Sequence, residues 1–210
     1  MEISAAAVKE LRERTGVGMM DCKRALQEAN GDMDEAIKLL RTMGMAKAAK
    51  KASRQASEGR VEAYIHMGDK IGVMLELNCE TDFVARNDDF ISLARDIAMH
   101  IAAAGPRFVG RDDVDQAALE AEREVYREQA RAEGKPDEIL EKIVEGKIGR
   151  YLSEVCLVEQ QFVKDSDKKV GELITEAITT LGENIVISRF SRFAIGDSDS
   201  VLAVATPAAE

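Results

Sequence analysis

The sequence predicts an α+β protein: a three-helix N-terminal head, a linker, then a small antiparallel sheet with helices and a helical-hairpin arm. Three observations predict it. Apolar residues recur at three- and four-residue spacing over the first 45 positions, the mark of helices with one buried stripe. They switch to alternation over 61–77, the period of a strand. They then return to helical spacing over 88–103 and 113–155, the second stretch dense in Glu and Arg.

The first helix, about 4–14, carries Ala5, Val8 and Leu11 on one face, and Thr15-Gly16-Val17-Gly18 breaks it. The second runs to Ala29 with Met19, Cys22, Leu26 and Ala29 inward, and Asn30-Gly31 stops it. Asp32 fits an N-cap with Glu35 closing a capping box; the third helix carries Ala36, Ile37, Leu40 and Met43 before Gly44 ends it. Three helices this short can share one small core. Residues 46–57 are basic and lack large apolar side chains, so they read as a linker.

Val61, Ala63, Ile65 and Met67 then alternate with Glu62, Tyr64 and His66, and Ile71, Val73, Leu75 and Leu77 repeat the pattern. Gly68-Asp69 between them suits a two-residue hairpin. Phe90, Leu93, Ala94, Ile97, Ala98 and Ile101 mark a helix ended by Gly105-Pro106. Two helices meeting at Glu133-Gly134-Lys135-Pro136 form the hairpin arm, with a coiled-coil-like seam. A helix over 170–181 and a strand over about 184–195 close the fold. Arg189 and Arg192 interrupt the strand's alternation, which leaves its buried face open. The expected organisation is a head at 1–45, a linker at 46–57, a core at 58–196 with the arm inserted at 112–160, and a flexible tail at 197–210.

Composition narrows the function. The net charge is −10 over 210 residues, against nucleic-acid binding, which needs clustered Lys and Arg to displace counterions. Charge is uneven: residues 1–57 hold 11 Lys and Arg against 8 Asp and Glu, the remainder 18 against 31. The basic cluster Lys47, Lys50, Lys51 and Arg54 has no interleaved aromatics and reads as a solvated linker. Cys22, Cys79 and Cys156 form neither a CxxC pair nor a Cys/His cluster, so no disulfide framework, zinc site or other cofactor is expected. Met1-Glu2-Ile3-Ser4 lacks the basic start of a signal peptide, and no apolar stretch nears the roughly 20 residues of a membrane helix; a cytoplasmic, membrane-free protein is expected. His66 and His100 stand apart without ligand partners. Gly16-x-Gly18 follows a helix rather than a strand and lacks the remaining phosphate-loop residues. No Ser/His/Asp or Cys/His set offers a nucleophile, so an enzyme making covalent bonds is not expected.

Two runs remain. Asn78-Cys79-Glu80-Thr81-Asp82-Phe83-Val84-Ala85-Arg86-Asn87 sets an acid beside a large aromatic where a strand gives way to a helix. A Phe there either plugs a core or is aimed outward as a wedge with a carboxylate at its side. Thr15-Gly16-Val17-Gly18-Met19-Met20-Asp21-Cys22-Lys23 places two adjacent methionines that cannot both enter one helical core.

In this order and at this separation, the two runs resemble the elongation factor Ts family, bacterial guanine-nucleotide exchange factors of elongation factor Tu. The resemblance spans nearly the whole chain and includes Ile97-Ala98-Met99-His100-Ile101-Ala102-Ala103. It implies a ubiquitin-associated-like head that docks on elongation factor Tu through Leu11, Met19, Met20 and Lys23. It implies that Thr81, Asp82, Phe83 and Val84 intrude into the partner and help dislodge the Mg2+ that anchors GDP, so that GTP can rebind. Longer family members carry two α/β subdomains, and here the chain resembles one with a single subdomain. That short-core form implies a homodimer that rebuilds the double core and binds two partner molecules. The reading from another class is a non-catalytic adaptor that uses the head as a general recognition module.

Overall fold

Ser4 opens the fold in the computed structural model, which describes residues 3–197 and 201–205. Its hydroxyl accepts the Ala7 N–H at 3.2 Å and caps α1 (Ala5–Thr15). Gly16 ends that helix at a φ of 67°, which an L side chain rarely adopts, with its N–H on the Arg12 carbonyl at 2.8 Å. α2 (Met19–Glu28) follows and stops where Asn30 and Gly31 turn left-handed. Asp32 caps α3 (Met33–Lys51), accepting the Glu35 N–H at 2.8 Å. Val8, Leu11, Cys22, Ala25, Leu26, Ala36 and Leu40 form the core these helices share.

Two expectations change here. α3 does not stop at Gly44 but runs to Lys51, so half of the expected linker is helix. Ala and Lys are strong helix formers, and Gly44 serves packing: a Cβ there would lie 2.9 Å from the Thr179 hydroxyl. Met19, expected inward, is exposed, and Ala25 takes the inward place.

β1 (Glu58–Ile65) and β2 (Ile71–Cys79) form a hairpin. His66 donates its N–H to the Ile71 carbonyl at 2.9 Å, so the turn has four residues, Met67 to Lys70, rather than two. α4 (Asp82–Ala85) is one turn, and α5 (Asp88–Ala104) follows it with Phe90, Ala94, Ile97, Ala98 and Ile101 buried. α6 (Gln116–Ala132) and α7 (Asp137–Val155) make the helical hairpin. Leu119, Ala130, Leu140, Val144, Ile148 and Leu152 bury its seam, and Arg127 spans it to Glu141 at 2.8 and 3.2 Å. Short β3 (Gln161–Phe162) and β4 (Asp165–Lys169) pair antiparallel. α8 (Val170–Leu181), β5 (Val186–Ala194) and β6 (Val201–Val204) complete the chain.

β6 corrects the expected tail at 197–210. Residues 201–204 pair antiparallel with β5, Phe190 opposite Ala203, while 198–200 and 206–210 lie outside the described residues. β6 is short and at the sheet edge, with Leu202 and Val204 outward and only the small Ala203 inward, so it carries little strand signal in sequence. The main sheet has the order β1-β2-β5-β6. On β5 the buried residues are Ile187 and Phe190, three apart, and Val186 is exposed, which strict alternation does not anticipate.

The chain forms two compact units. One holds Met1–Gly59, Asn78–Leu93 and Leu173–Val186; the other holds Arg60–Leu77, Ala94–Glu172 and Ile187–Glu210. The three N-terminal helices thus share a unit with the Asp82-Phe83 turn, where the sequence reading set them apart as a separate head. In the second unit the hairpin is tied at its base: Leu157 donates to the Phe108 carbonyl at 2.9 Å, and Arg111 pairs with Glu159 at 2.7 Å.

Candidate functional site

β2 ends at Cys79, and Glu80 and Thr81 lead into the single turn of α4. Thr81 is extended, and its hydroxyl accepts the Val84 N–H at 3.5 Å, the N-cap of that turn. The cap presents Asp82 and Phe83 on the first two helical positions. Phe83 is 81% exposed. Fully burying a Phe is worth about 1.5–3 kcal/mol, so the free chain forgoes most of that gain. This settles the choice left open by the sequence: Phe83 is not a core plug. Asp82 is half-buried and pairs with Arg86 one turn on, at 3.0 Å. Thr81 and Val84 are partly buried at the base of the turn.

The turn is fixed from the α8–β5 loop. Glu183 Oε2 accepts the N–H groups of Glu80 and Thr81, each at 3.0 Å, and Oε1 accepts the Thr81 hydroxyl at 2.6 Å. Glu80 returns the contact, accepting the Asn184 N–H at 2.7 Å, which holds the Glu80 carboxyl below the usual carboxylate range. Sequence reasoning missed Glu80, Glu183 and Asn184. The only signal at Glu183 and Asn184 was a pair of polar residues directly after the helix stop Leu181-Gly182.

At the start of α2, Met20 is 77% exposed, Met19 and Lys23 are exposed, and the spacing puts all three on one stretch of helix surface. Gly18, the N-cap, has nothing within 4 Å of where a Cβ would stand, so the turn leaves this surface clear. Asp21 pairs with Arg24 at 2.6 Å and with Lys47 of α3, steadying α2 beside them. Leu11 departs from the expected set. It is 0% exposed in the core of the three helices, so it supports the methionine surface from beneath rather than forming part of it.

Nothing reactive accompanies these residues. All three cysteines are free and buried; burial first, then the Glu183 charge, pushes the Cys79 thiol up to about 11. His66 is exposed and within 3.1 Å of the Tyr64 hydroxyl, and His100 is buried against Gln160. Among the described residues no group of three His, Cys, Asp or Glu could hold a metal ion, and no helix is long and apolar enough to cross a membrane.

Comparison with known proteins supplies the relatives of the whole chain. The family described as Elongation factor TS matches residues 2–197. An Elongation factor Ts of Carboxydothermus hydrogenoformans is 60% identical over 195 residues, 93% of this chain and 90% of the relative. One from Thermosipho melanesiensis is 56% identical over 195 residues, 93% of this chain and 100% of the relative. One from Geobacter sulfurreducens is 55% identical over 197 residues, 94% and 91% of the two chains.

Proposed function

This chain belongs to the elongation factor Ts family, and from that premise we propose how its surface works. Its function is guanine-nucleotide exchange on elongation factor Tu during translation elongation. The proposed mechanism rests on one observation above all: a large aromatic, Phe83, held outward beside the Asp82 carboxylate on a capped turn.

Phe83 enters a pocket of elongation factor Tu·GDP and recovers there the burial energy it lacks in the free chain. Asp82 and the Thr81–Val84 turn follow it, and their intrusion dislodges the Mg2+ that anchors the GDP phosphates. A factor that binds the nucleotide-free partner more tightly than the GDP form lowers GDP affinity by the same ratio. No covalent bond need form at any stage. GTP then rebinds and displaces the factor.

The three N-terminal helices act as a ubiquitin-associated-like docking head through Met19, Met20 and Lys23. The family assignment favours this over a general adaptor, because the same surface then serves one defined partner. The α6–α7 hairpin acts as a coiled-coil arm. The protein works in the cytoplasm without contacting nucleic acid or membrane.

We also propose a homodimer through the outer face of the main sheet. Val61, Ile65, Met74, Phe193, Leu202 and Val204 are all exposed on its four strands. Ile65 Cδ1 lies 3.1 Å from where a Cβ on Gly72 would stand, Arg189 reaches Glu76 at 2.6 Å, and Arg189 and Ser191 lie opposite Val204 and Leu202. These contacts set the residues on one face. A second copy covering the same face would bury it symmetrically and give a two-plus-two complex with elongation factor Tu.

Release of labelled GDP from elongation factor Tu, followed with wild type and Phe83→Ala at saturating concentration, tests the wedge. We expect Phe83→Ala to bind nucleotide-free elongation factor Tu but to release GDP on the order of tenfold more slowly. Release at the wild-type rate would remove the wedge.

A further inference from the structure

The loop Gly182-Glu183-Asn184 between α8 and β5 touches two places that the proposed function needs together. Glu183 holds the root of the wedge through three hydrogen bonds, two from backbone N–H groups and one from the Thr81 hydroxyl. Asn184, 3% exposed, donates its side-chain amide to the Arg54 carbonyl at 2.8 Å and to the Ala52 carbonyl at 3.5 Å. Those carbonyls lie just past the end of α3. Gly182 offers its carbonyl to the Lys51 ammonium in the last turn of the same helix.

The bonds form a directed chain. The Thr81 hydroxyl has one proton, and it goes to Glu183 Oε1 at 2.6 Å. That leaves a lone pair turned to the Val84 N–H, the contact that caps α4. The two carboxylates clamp the two segments across the gap, Glu183 taking the Glu80 N–H and Glu80 taking the N–H of the next residue, Asn184. The direction of Phe83 is therefore set three residues upstream and a hundred residues away in sequence, by a carboxylate that has no need to touch the partner.

We infer that Glu183 is a positioning residue for the Phe83 wedge, and that the Gly182–Asn184 loop fixes the wedge relative to the docking head. The inference rests on the wedge reading above. A partner engaged at two points by one chain gains only when their spacing is already right. Loosening the loop therefore leaves each contact intact but lets Phe83 miss its pocket.

The test uses the full chain as wild type, Glu183→Ala, Glu183→Gln, Phe83→Ala and the Glu183→Ala/Phe83→Ala pair. Labelled GDP release is titrated, and affinity for nucleotide-free elongation factor Tu is measured separately. Glu183→Ala lowers the saturating release rate on the order of tenfold, with less than about a threefold change in half-saturating concentration. Glu183→Gln keeps an acceptor for both N–H groups but not for the Thr81 hydroxyl, and recovers part of the rate. The double variant is no slower than Phe83→Ala alone, because Glu183 acts only through the wedge. A wild-type plateau for Glu183→Ala, a glutamine variant as slow as alanine, or losses that multiply in the double variant would each overturn the inference. If Phe83→Ala itself releases GDP at the wild-type rate, the wedge reading falls, and the positioning role with it. Should Glu183→Ala fail to fold, Thr81→Val breaks the next bond in the chain: a reduced plateau supports the inference and an unchanged one overturns it.

Discussion

At the scale of single residues, the proposed mechanism turns on which apolar side chains the fold leaves outside. Phe83, Met19 and Met20 are exposed next to helices whose cores are filled by others. The sequence made the methionine pair legible, because adjacent residues on a helix cannot share one buried stripe. It did not settle Phe83, since the same dipeptide at a strand end suits burial or display. The exposure is decided by Thr81, whose cap makes α4 a turn. Met19→Ala with Met20→Ala should therefore raise the half-saturating concentration for exchange on the order of tenfold while leaving the saturating rate within about twofold. A titration of labelled GDP release gives both numbers at once, and a lost plateau would contradict the separation of docking from exchange.

At the scale of elements, helices were the most legible part. α5 and α8 fall where their periodicity puts them. Gly44 reads in the sequence as the stop of α3, whereas in the structure it lets Thr179 approach. Thr179 also donates its hydroxyl to the Thr175 carbonyl at 2.9 Å, so it cannot yield freely. Gly44→Ala should consequently destabilise the protein by about 1 kcal/mol, although helix propensity alone favours alanine by a similar amount; urea unfolding measures the sign.

α5 carries a second test. His100 Nδ1 accepts the Val163 N–H at 3.2 Å, so its proton sits on Nε2, facing Gln160 Oε1 at 2.9 Å. Both nitrogens are satisfied only in the neutral ring, and burial lowers the pKa below the ordinary 6.5. The unfolded chain therefore takes up the proton first, and stability is lost as the pH falls below 6.5 toward the folded value. Urea midpoints between pH 7.5 and 5.5 should decline for wild type and flatten for His100→Gln. Equal slopes would assign the pH dependence elsewhere.

At the scale of the whole molecule, the sequence showed the class of fold but not its division. Periodicity reports neighbours along the chain. It is silent on Glu183 closing over Thr81 from about a hundred residues away, and on the Asp82-Phe83 turn sharing a unit with the N-terminal helices. The exposed side chains Val61, Ile65, Met74, Phe193, Leu202 and Val204 of the main sheet are the surface the proposed dimer would cover. Light scattering of the reduced protein at micromolar concentration should give a dimer mass, and Ile65→Lys with Phe193→Lys should give a monomer. A wild-type monomer with full exchange activity would remove the dimer.

On the proposed mechanism the wedge works by dislodging the partner's Mg2+. The measurement that tests it most directly is the saturating rate of labelled GDP release by wild type and Phe83→Ala, each in millimolar Mg2+ and in excess chelator. Phe83→Ala should show a deficit on the order of tenfold with Mg2+ present, shrinking to within about twofold once the ion is already gone. An equal deficit in both conditions would contradict it, placing the effect of Phe83 somewhere other than the metal.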